Sequence, residues 1–382
     1  MDIFIALEIV FLISLASLAQ VYIFYPLSLR FFSLFTKKSK HPENPKILAN
    51  RGSDNVSIII SAHNEEAVIE EKIKNTLALD WPKDKMEILI GDDGSTDRTA
   101  EIVAKFSEVR LVKKEKNEGK AAMLNDLCGM AKGEFFLFSD ANSILKSDAL
   151  KNLAAEFADR KVGCVCGQLV LKNSAEFSLS KVEETYWKGE SGLKELESNF
   201  GAVMGSNGAL YAIRSELFST LPTHKTVMDD FYITAKILMK NRSCVFCKNA
   251  QASEHTSTLE YGEFKRKVRI GRANFNFLFA YLPLLSLLHP MKAYMFLSHK
   301  LLRWFSPFLL LAIFLSSIFL AYSGHIFFKA FFALELLFIL AALLGLRVCN
   351  YFLSMNFAIF LGFCKSFFKE KGGGWERVER QK

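Results

Sequence analysis

The chain has 382 residues, of which 51% are apolar and 36 are Phe, and it carries a formal net charge of +8. That length accommodates one domain of ordinary size together with several membrane-embedded helices. The apolar residues gather towards the two ends, which excludes a wholly soluble globule, and the basic excess follows an apolar run instead of forming a nucleic-acid patch, so no nucleic-acid partner is expected.

Residues 9–29 carry no charge and are long enough to cross a hydrocarbon core of about 30 Å as a helix. A signal peptide would have a shorter apolar core and a small-residue cleavage site. Lys37, Lys38, Lys40, Lys46 and Arg51 come next, and the positive-inside rule sets them, with all that follows up to about residue 300, on the cytoplasmic side. A multi-pass protein of a bacterial plasma membrane is expected. The seven cysteines show no disulfide spacing. Cys244 and Cys247 have a two-residue gap but no second pair or His cluster to complete a zinc site, and they read as strand core.

The expected organisation is an amino-terminal transmembrane helix over 1–36, a polar linker over 37–53 and an α/β domain over 54–275. Interfacial helices over 276–303 follow, then transmembrane helices over 304–367 and a basic tail over 368–382. In the domain, strand-like runs at 56–60, 86–90, 109–113 and 134–139 alternate with amphipathic stretches at about 66–78, 97–106 and 119–131, the pattern of a doubly wound sheet. Residues 162–171 and 243–248 read as further strands, 180–198 as a charged helix, and 227–231 as a helix start. Residues 263–272 form a basic helix. Near the carboxyl end, 304–328, 330–346 and 348–364 are apolar apart from His325 and Glu335. An ionisable group inside an apolar run is a functional candidate, and near a helix end it is one that can snorkel. One span before the domain and three after it would leave both termini on one side, outside, whereas Lys369, Lys371, Arg377, Arg380 and Lys382 favour the cytoplasm. Either one late segment lies in the interface or the count differs by one.

The strand-like runs hand over to acidic and amide residues. Ala62, His63, Asn64, Glu65 and Glu66 end the first, and Asp92 and Asp93 end the second. Asn117, Gly119 and Lys120 precede the third helix, and Asp140 and Asn142 follow the fourth run. An open parallel sheet binds its ligand at those carboxyl ends. One carboxylate there can accept from a base N–H, and another can hold a hard divalent cation against a diphosphate. Asp92 or Asp93 suits the first task and Asp140 with Asn142 the second. Each also has a plainer reading: an Asx turn capping the helix at 97, or a strand-ending turn. Neither Gly-x-Gly-x-x-Gly nor a Walker motif is present, which argues against a dinucleotide fold or a P-loop NTPase. Asp229 and Asp230 are either a general base pair or a capped helix start. The basic run, with Arg266 and Arg269, would neutralise a departing diphosphate or face a membrane surface.

Taken in order, these motifs resemble the family 2 inverting glycosyltransferases of the GT-A fold. The likeness is to the membrane-integrated branch that includes poly-N-acetylglucosamine, hyaluronan and cellulose synthases, and it covers about residues 54–275. The resemblance implies an α/β, Rossmann-like GT-A domain with flanking transmembrane helices. It implies that Ala62, Asn64, Glu65, Asp92, Asp93, Asn117, Lys120, Arg266 and Arg269 hold a UDP-sugar and that Asp140 and Asn142 hold Mg or Mn. It further implies that Asp230, beside Asp229, is the catalytic base and that the turn with Gly205, Asn207 and Gly208 borders the acceptor. Two departures stand out. Asn142 replaces the second acid of the family's Asp-x-Asp pair, and the Gln-x-x-Arg-Trp signature survives only as Arg269 in the run 266–270. Transfer of a sugar from UDP-N-acetylglucosamine or UDP-glucose to a growing polysaccharide is the leading expectation. Addition of one sugar to a lipid carrier (polyprenyl phosphate or a ceramide-like lipid) and a non-catalytic membrane scaffold are the rivals.

Overall fold

The computed structural model describes residues 2–36, 54–172, 178–255 and 260–368. The linker expected over 37–53 and the basic tail beyond 368 lie outside the described residues. The chain divides into two compact units. One comprises Met1–Phe32, Glu260–Phe275 and Leu285–Phe368, and the other contains Ser33–Leu259 and Asn276–Leu284.

The second unit is built on one eight-stranded sheet. Strands β1 (Val56–Ala62), β2 (Met86–Asp93), β3 (Val109–Lys114) and β4 (Phe135–Phe138) are followed by β5 (Ile144–Leu145), β6 (Val162–Lys172), β7 (Tyr211–Arg214) and β8 (Ser243–His255). Their spatial order is β3-β2-β1-β4-β7-β6-β8-β5. β1 is buried along its whole length, as a strand covered on both faces of a parallel sheet must be. The chain steps outwards from β1 to β2 and β3, then returns to place β4 on β1's other side, all in parallel. That reversal between β1 and β4 is a topological switch point, where the crevice of an α/β sheet opens. β7 runs antiparallel to β4 and β6 and joins the two halves. Phe138 stacks on Tyr211 across that junction, with centroids 4.7 Å apart and planes at 13°.

Helices α3 (Ile69–Leu77), α4 (Thr99–Val103) and α5 (Lys120–Met130) connect the first four strands, and α7 (Ser178–Ser198) and α8 (Asp229–Met239) follow later. Here α1 is Asp2–Ala19 and α2 is Tyr25–Ser33, with a π-helical turn between them. The structure adds two elements not expected from the sequence, β5 and α6 (Ala149–Glu156). It also extends the strand expected at 243–248 as far as His255. Ala250, Gln251, Ala252, Ser253 and Glu254 are weak strand formers. They alternate buried with half-buried positions while pairing β6, after an irregularity in register between Gly167 and Gln168. Tertiary pairing overrides their propensity. Cys244 and Cys247 are buried cysteines of this strand that form no disulfide, and burial pushes the Cys247 thiol up to about 12. Residues 276–284, which contain α10 (Leu278–Tyr281), close the unit: Asn276 Nδ2 donates to Thr226 O at 3.0 Å, and Tyr281, almost wholly buried, packs edge-on against Phe231 at 4.8 Å.

The first unit is helical. Ile3–Ser33, Pro290–Tyr322, Ile326–Leu343 and Arg347–Ser366 are four helices long and apolar enough to cross a membrane. The second starts 14 residues before the apolar run expected at 304. Pro290 occupies the first helical turn, where its missing N–H costs nothing. From there α11 (Pro290–Met295) continues through a π turn into α12 (Leu302–Tyr322). Gln20, in the other π turn, donates to Tyr294 Oη at 2.9 Å and Ser298 Oγ at 3.0 Å. Ser317 on α12 donates to Glu335 on α13 (Ile326–Leu343). Helix α9 (Glu260–Asn276) meets α14 (Arg347–Ser366) where a Cβ on Gly362 would lie 2.5 Å from Val268 O, so only glycine permits that approach.

Candidate active site

The carboxyl ends of β1 and β2 are stitched into one turn system. Asp92 lies opposite Ala62 in register. Asn64 adopts φ 56°, a left-handed conformation that Asn tolerates better than most residues. Its N–H donates to Ser95 Oγ at 2.9 Å, and its Oδ1 accepts from Thr96 N at 2.8 Å. Glu65 N donates to Thr99 Oγ1. His63 Nδ1 lies 2.8 Å from the Asp93 carbonyl, which can only accept, and this assigns the ring proton to Nδ1. Nε2 then accepts from Asn117 Nδ2 at 3.1 Å and Asn64 Nδ2 at 3.3 Å.

The two adjacent acids of β2 have separate duties, although both are fully buried. Asp93 accepts from Glu118 N at 2.9 Å and Gly119 N at 2.8 Å, and so holds the loop before α5. Asp92 accepts from Ser95 N at 3.3 Å through Oδ1, while its Oδ2 is buried without a hydrogen-bond partner. A buried carboxylate oxygen left unpaired is costly, and this sets Asp92 apart from Asp93.

Next to this turn system, Lys120 brings two carboxylates together. Its Nζ donates to Asp140 Oδ1 at 2.7 Å and lies 3.2 Å from Asp229 Oδ2. Burial alone would lower this ammonium, but Asp140 and Asp229 hold it well above its ordinary value. Asp229 and Asp230 occupy the first turn of α8, where the dipole favours negative charge. Burial first, and the Asp229 carboxylate second, push Asp230 up to about 6. Asp140 N donates to Gly208 O at 3.1 Å, and a Cβ at Gly208 would come within 2.7 Å of Asp140 Oδ2. Gly205 has φ 110°. Asn207 is buried, with its amide donating to Gly167 O at 2.9 Å and its Oδ1 accepting from Leu210 N.

The structure thus gathers Asp92, Asp93, Asn64, Asn117, Lys120, Asp140, Asp229 and Gly208 at or beside the carboxyl ends of β1, β2 and β4. Ala62 is strand core, and Asn207 shapes the 205–208 turn from inside. Arg266 and Arg269 belong to α9, in the other compact unit, where Arg266 grips Glu263 at 2.6 and 3.0 Å. His255, which its place after the last expected strand makes a candidate further ligand, has its side chain outside the described residues.

Three buried charges here are absent from the sequence-based reading. Lys72, on α3, donates to Ser139 Oγ and Ser143 O, both at 2.6 Å, and burial lowers it to about 7 against the pull of Asp140 and Glu254. Lys194, on α7, donates to Cys166 Sγ at 3.7 Å and is held above its ordinary value by Cys166, Glu190 and Asp230, against burial. Glu254 on β8 accepts from Ser143 Oγ. One signal was in the sequence: Lys72 shares its helix face with Ile69, Ile73 and Thr76, an apolar stripe where a lysine stands out.

Among the described residues no group of three or more His, Cys, Asp or Glu could by itself hold a metal ion. Asp140, with Asn142 two residues on, offers the few hard oxygens that Mg or Mn takes from a protein when phosphates supply the rest. The donor set fits a cation that arrives with a diphosphate.

A mixed α/β sheet with acids at the strand ends beside its switch point, continued through an antiparallel β7, is the architecture of the GT-A fold. Residues 57–220 match the family model described as Glycosyl transferase family 2, and the chain carries a domain of that family. It is 25% identical over 214 residues to a β-monoglucosyldiacylglycerol synthase of Nostoc sp., covering 53% of this chain and 46% of the relative. It is 27% identical over 194 residues to a poly-β-1,6-N-acetyl-D-glucosamine synthase of Staphylococcus epidermidis, covering 50% of this chain and 44% of that one. The chain therefore spans about half the length of these curated relatives. The mannosyltransferase PcManGT of Pyrobaculum calidifontis, solved with GDP-Man and Mn2+, shares the fold with a TM-score of 0.70 at 22% identity, over 94% of this chain and 99% of that one.

Proposed function

We propose that the chain is a membrane-embedded, inverting glycosyltransferase that moves a sugar from a UDP-sugar, UDP-N-acetylglucosamine or UDP-glucose, to a growing polysaccharide or glycan acceptor. The observation that carries this reading is the Lys120 ammonium drawing Asp140 and Asp229 together beside Asp230. Asp230 takes the proton of the acceptor hydroxyl as its oxygen attacks the anomeric carbon. The carbon–oxygen bond to the diphosphate breaks on the opposite face, and the nucleoside diphosphate leaves. Asp92 receives the base N–H through its unpaired Oδ2, and Asn64, Glu65, Asp93 and Asn117 shape that pocket. Asp140 and Asn142 would hold a Mg or Mn ion, which supplies charge neutralisation of the departing diphosphate. Gly205, Asn207 and Gly208 form the acceptor-side turn, while Arg266 and Arg269 are assigned to the diphosphate or to membrane lipid headgroups. The four apolar helices support residence in a membrane, and the basic residues that follow the first of them favour a domain on the cytoplasmic face of a bacterial plasma membrane.

A second reading is addition of a single sugar to a lipid carrier. The reduced Gln-x-x-Arg-Trp signature supports it, as does the likeness to a glucosyldiacylglycerol synthase. Release of nucleoside diphosphate from purified membranes tests both readings, over a panel of UDP-sugars and GDP-mannose with Mg or Mn. Turnover of one donor by the wild type, and its loss by about 10²–10⁴-fold in Asp230→Asn, supports the transferase with Asp230 as base. A ladder of products supports the synthase, and one shift in lipid mobility supports single addition. Undiminished turnover by Asp230→Asn sinks the assignment of the base.

A further inference from the structure

Beneath the turn that carries Asp140 and Asn142 lies a lysine with no part in the chemistry above. Lys72 is 0% exposed. Its ammonium donates at 2.6 Å to Ser139 Oγ and at 2.6 Å to Ser143 O, the residues that bracket positions 140–142. Each contact continues into a further element. Ser139 Oγ donates to Ala209 O at 2.7 Å, next to the glycine that faces Asp140, and Ser143 Oγ donates to Glu254 on β8. Three residues along the same helix face, Asn75 pins Leu145 through both backbone groups, each at 2.8 Å. Helix α3 therefore grips residues 139–145 at four points.

Burying an ammonium is among the most expensive choices a core can make. A methionine would fill the same volume without that cost. What methionine lacks is a set of N–H donors that reach both sides of a three-residue turn at once. We propose that Lys72 is a positioning residue for the cation site, fixing the 139–143 turn so that Asp140 and Asn142 present their oxygens to the divalent ion that accompanies the donor. This inference rests on the cation assignment made under the proposed function. Groups that orient metal ligands without touching the metal commonly govern about 10–100-fold in affinity.

The test is Mn2+ binding to the full chain in detergent, read by electron paramagnetic resonance with UDP present, alongside UDP binding without metal. Wild type, Lys72→Met, Ser139→Ala and Asp140→Asn are compared, with circular dichroism to confirm folding. Lys72→Met is expected to weaken Mn2+ binding by about 10–100-fold while metal-free UDP binding stays within about twofold of the wild type. Ser139→Ala, which removes one acceptor without changing the charge, is expected to show a smaller loss of the same kind, and it decides the matter if Lys72→Met does not fold. Wild-type Mn2+ affinity in a folded Lys72→Met overturns the inference and leaves the cation assignment standing. Equal losses of Mn2+ and metal-free UDP binding overturn it as well, because they describe general damage. If the wild type and Asp140→Asn both fail to bind Mn2+, the cation assignment falls, and this inference falls with it.

Discussion

The Lys120 ammonium sits 2.7 Å from Asp140 Oδ1, tying the start of α5 to the turn after β4. The same cation lowers the carboxyl of Asp230, which burial and Asp229 raise. Removing it in Lys120→Met leaves Asp140, Asp229 and Asp230 facing each other uncompensated. Asp230 then holds its proton to higher pH. The acid limb of the kcat/KM profile is expected to move upwards in pH, with a lower plateau, in a pH–rate series on the purified variant. A limb that stays in place would show that Lys120 does not act on the base.

In the wild type that limb is expected near pH 6. Asp230 is pushed up to about 6, and a general base works only when ionised, so the rate falls as pH drops through that value. Asp229→Asn removes the neighbouring like charge, the second cause of the rise, and is expected to shift the limb to lower pH. The two variants therefore move the profile in opposite directions, an outcome that general damage to the fold would not produce.

Lys72 supplies a stability test with a definite sign. Its folded value of about 7 lies below its ordinary 10.5. Between these values the unfolded chain holds a proton that the folded chain does not, so stability rises with pH, by at most about 1.4 kcal/mol per unit. Below pH 7 both states are protonated and the slope vanishes. Thermal midpoints of the wild type measured from pH 7 to 10 are expected to carry this upward component, and Lys72→Met is expected to lose it.

Two glycines should respond oppositely to a methyl group. At Gly208 the new Cβ would lie 2.7 Å from Asp140 Oδ2, and a short carboxylate can rotate aside. Gly208→Ala is therefore expected to keep the fold and lose about 10-fold or more in cation affinity, measured by Mn2+ titration. Gly192, in the interior of α7, meets nothing within 4 Å. Gly192→Ala is expected to raise stability by about 0.5–1 kcal/mol, read as a higher thermal midpoint with unchanged turnover.

The first four strands and the acids at their ends were legible because burial on both faces demands unbroken apolar runs, and these stop where Ala62, Asp92 and Phe138 give way to polar turns. Asp140, Asp229 and Asp230 stand out in the sequence the same way, as acids at element ends. What holds them was harder to see. Lys72 lies in a stretch with Glu70, Glu71 and Lys74 that looks like solvated helix, and only its phase with Ile69 and Ile73 betrays burial. Lys194 and Glu197 share a buried helix face that contains little apolar signal. The second half of β8 is made of Ala, Gln and Ser, which adopt strand geometry because β6 pairs with them. The helix from Pro290 begins earlier than its hydropathy, since Lys292, His299 and Lys300 mask an element whose polar residues meet Gln20 and other groups inside the helical unit.

The return of residues 276–284 to the sheet-bearing unit has a practical consequence. A fragment ended at residue 275, where the α/β pattern of the sequence stops, would strip Tyr281 from Phe231 and Asn276 from Thr226. The bared aromatic surface would be one residue from Asp230. The domain is discontinuous in the chain, so a soluble version cannot be obtained by a single truncation. It calls for a splice that replaces residues 260–275 by a short flexible bridge and retains the nine that follow.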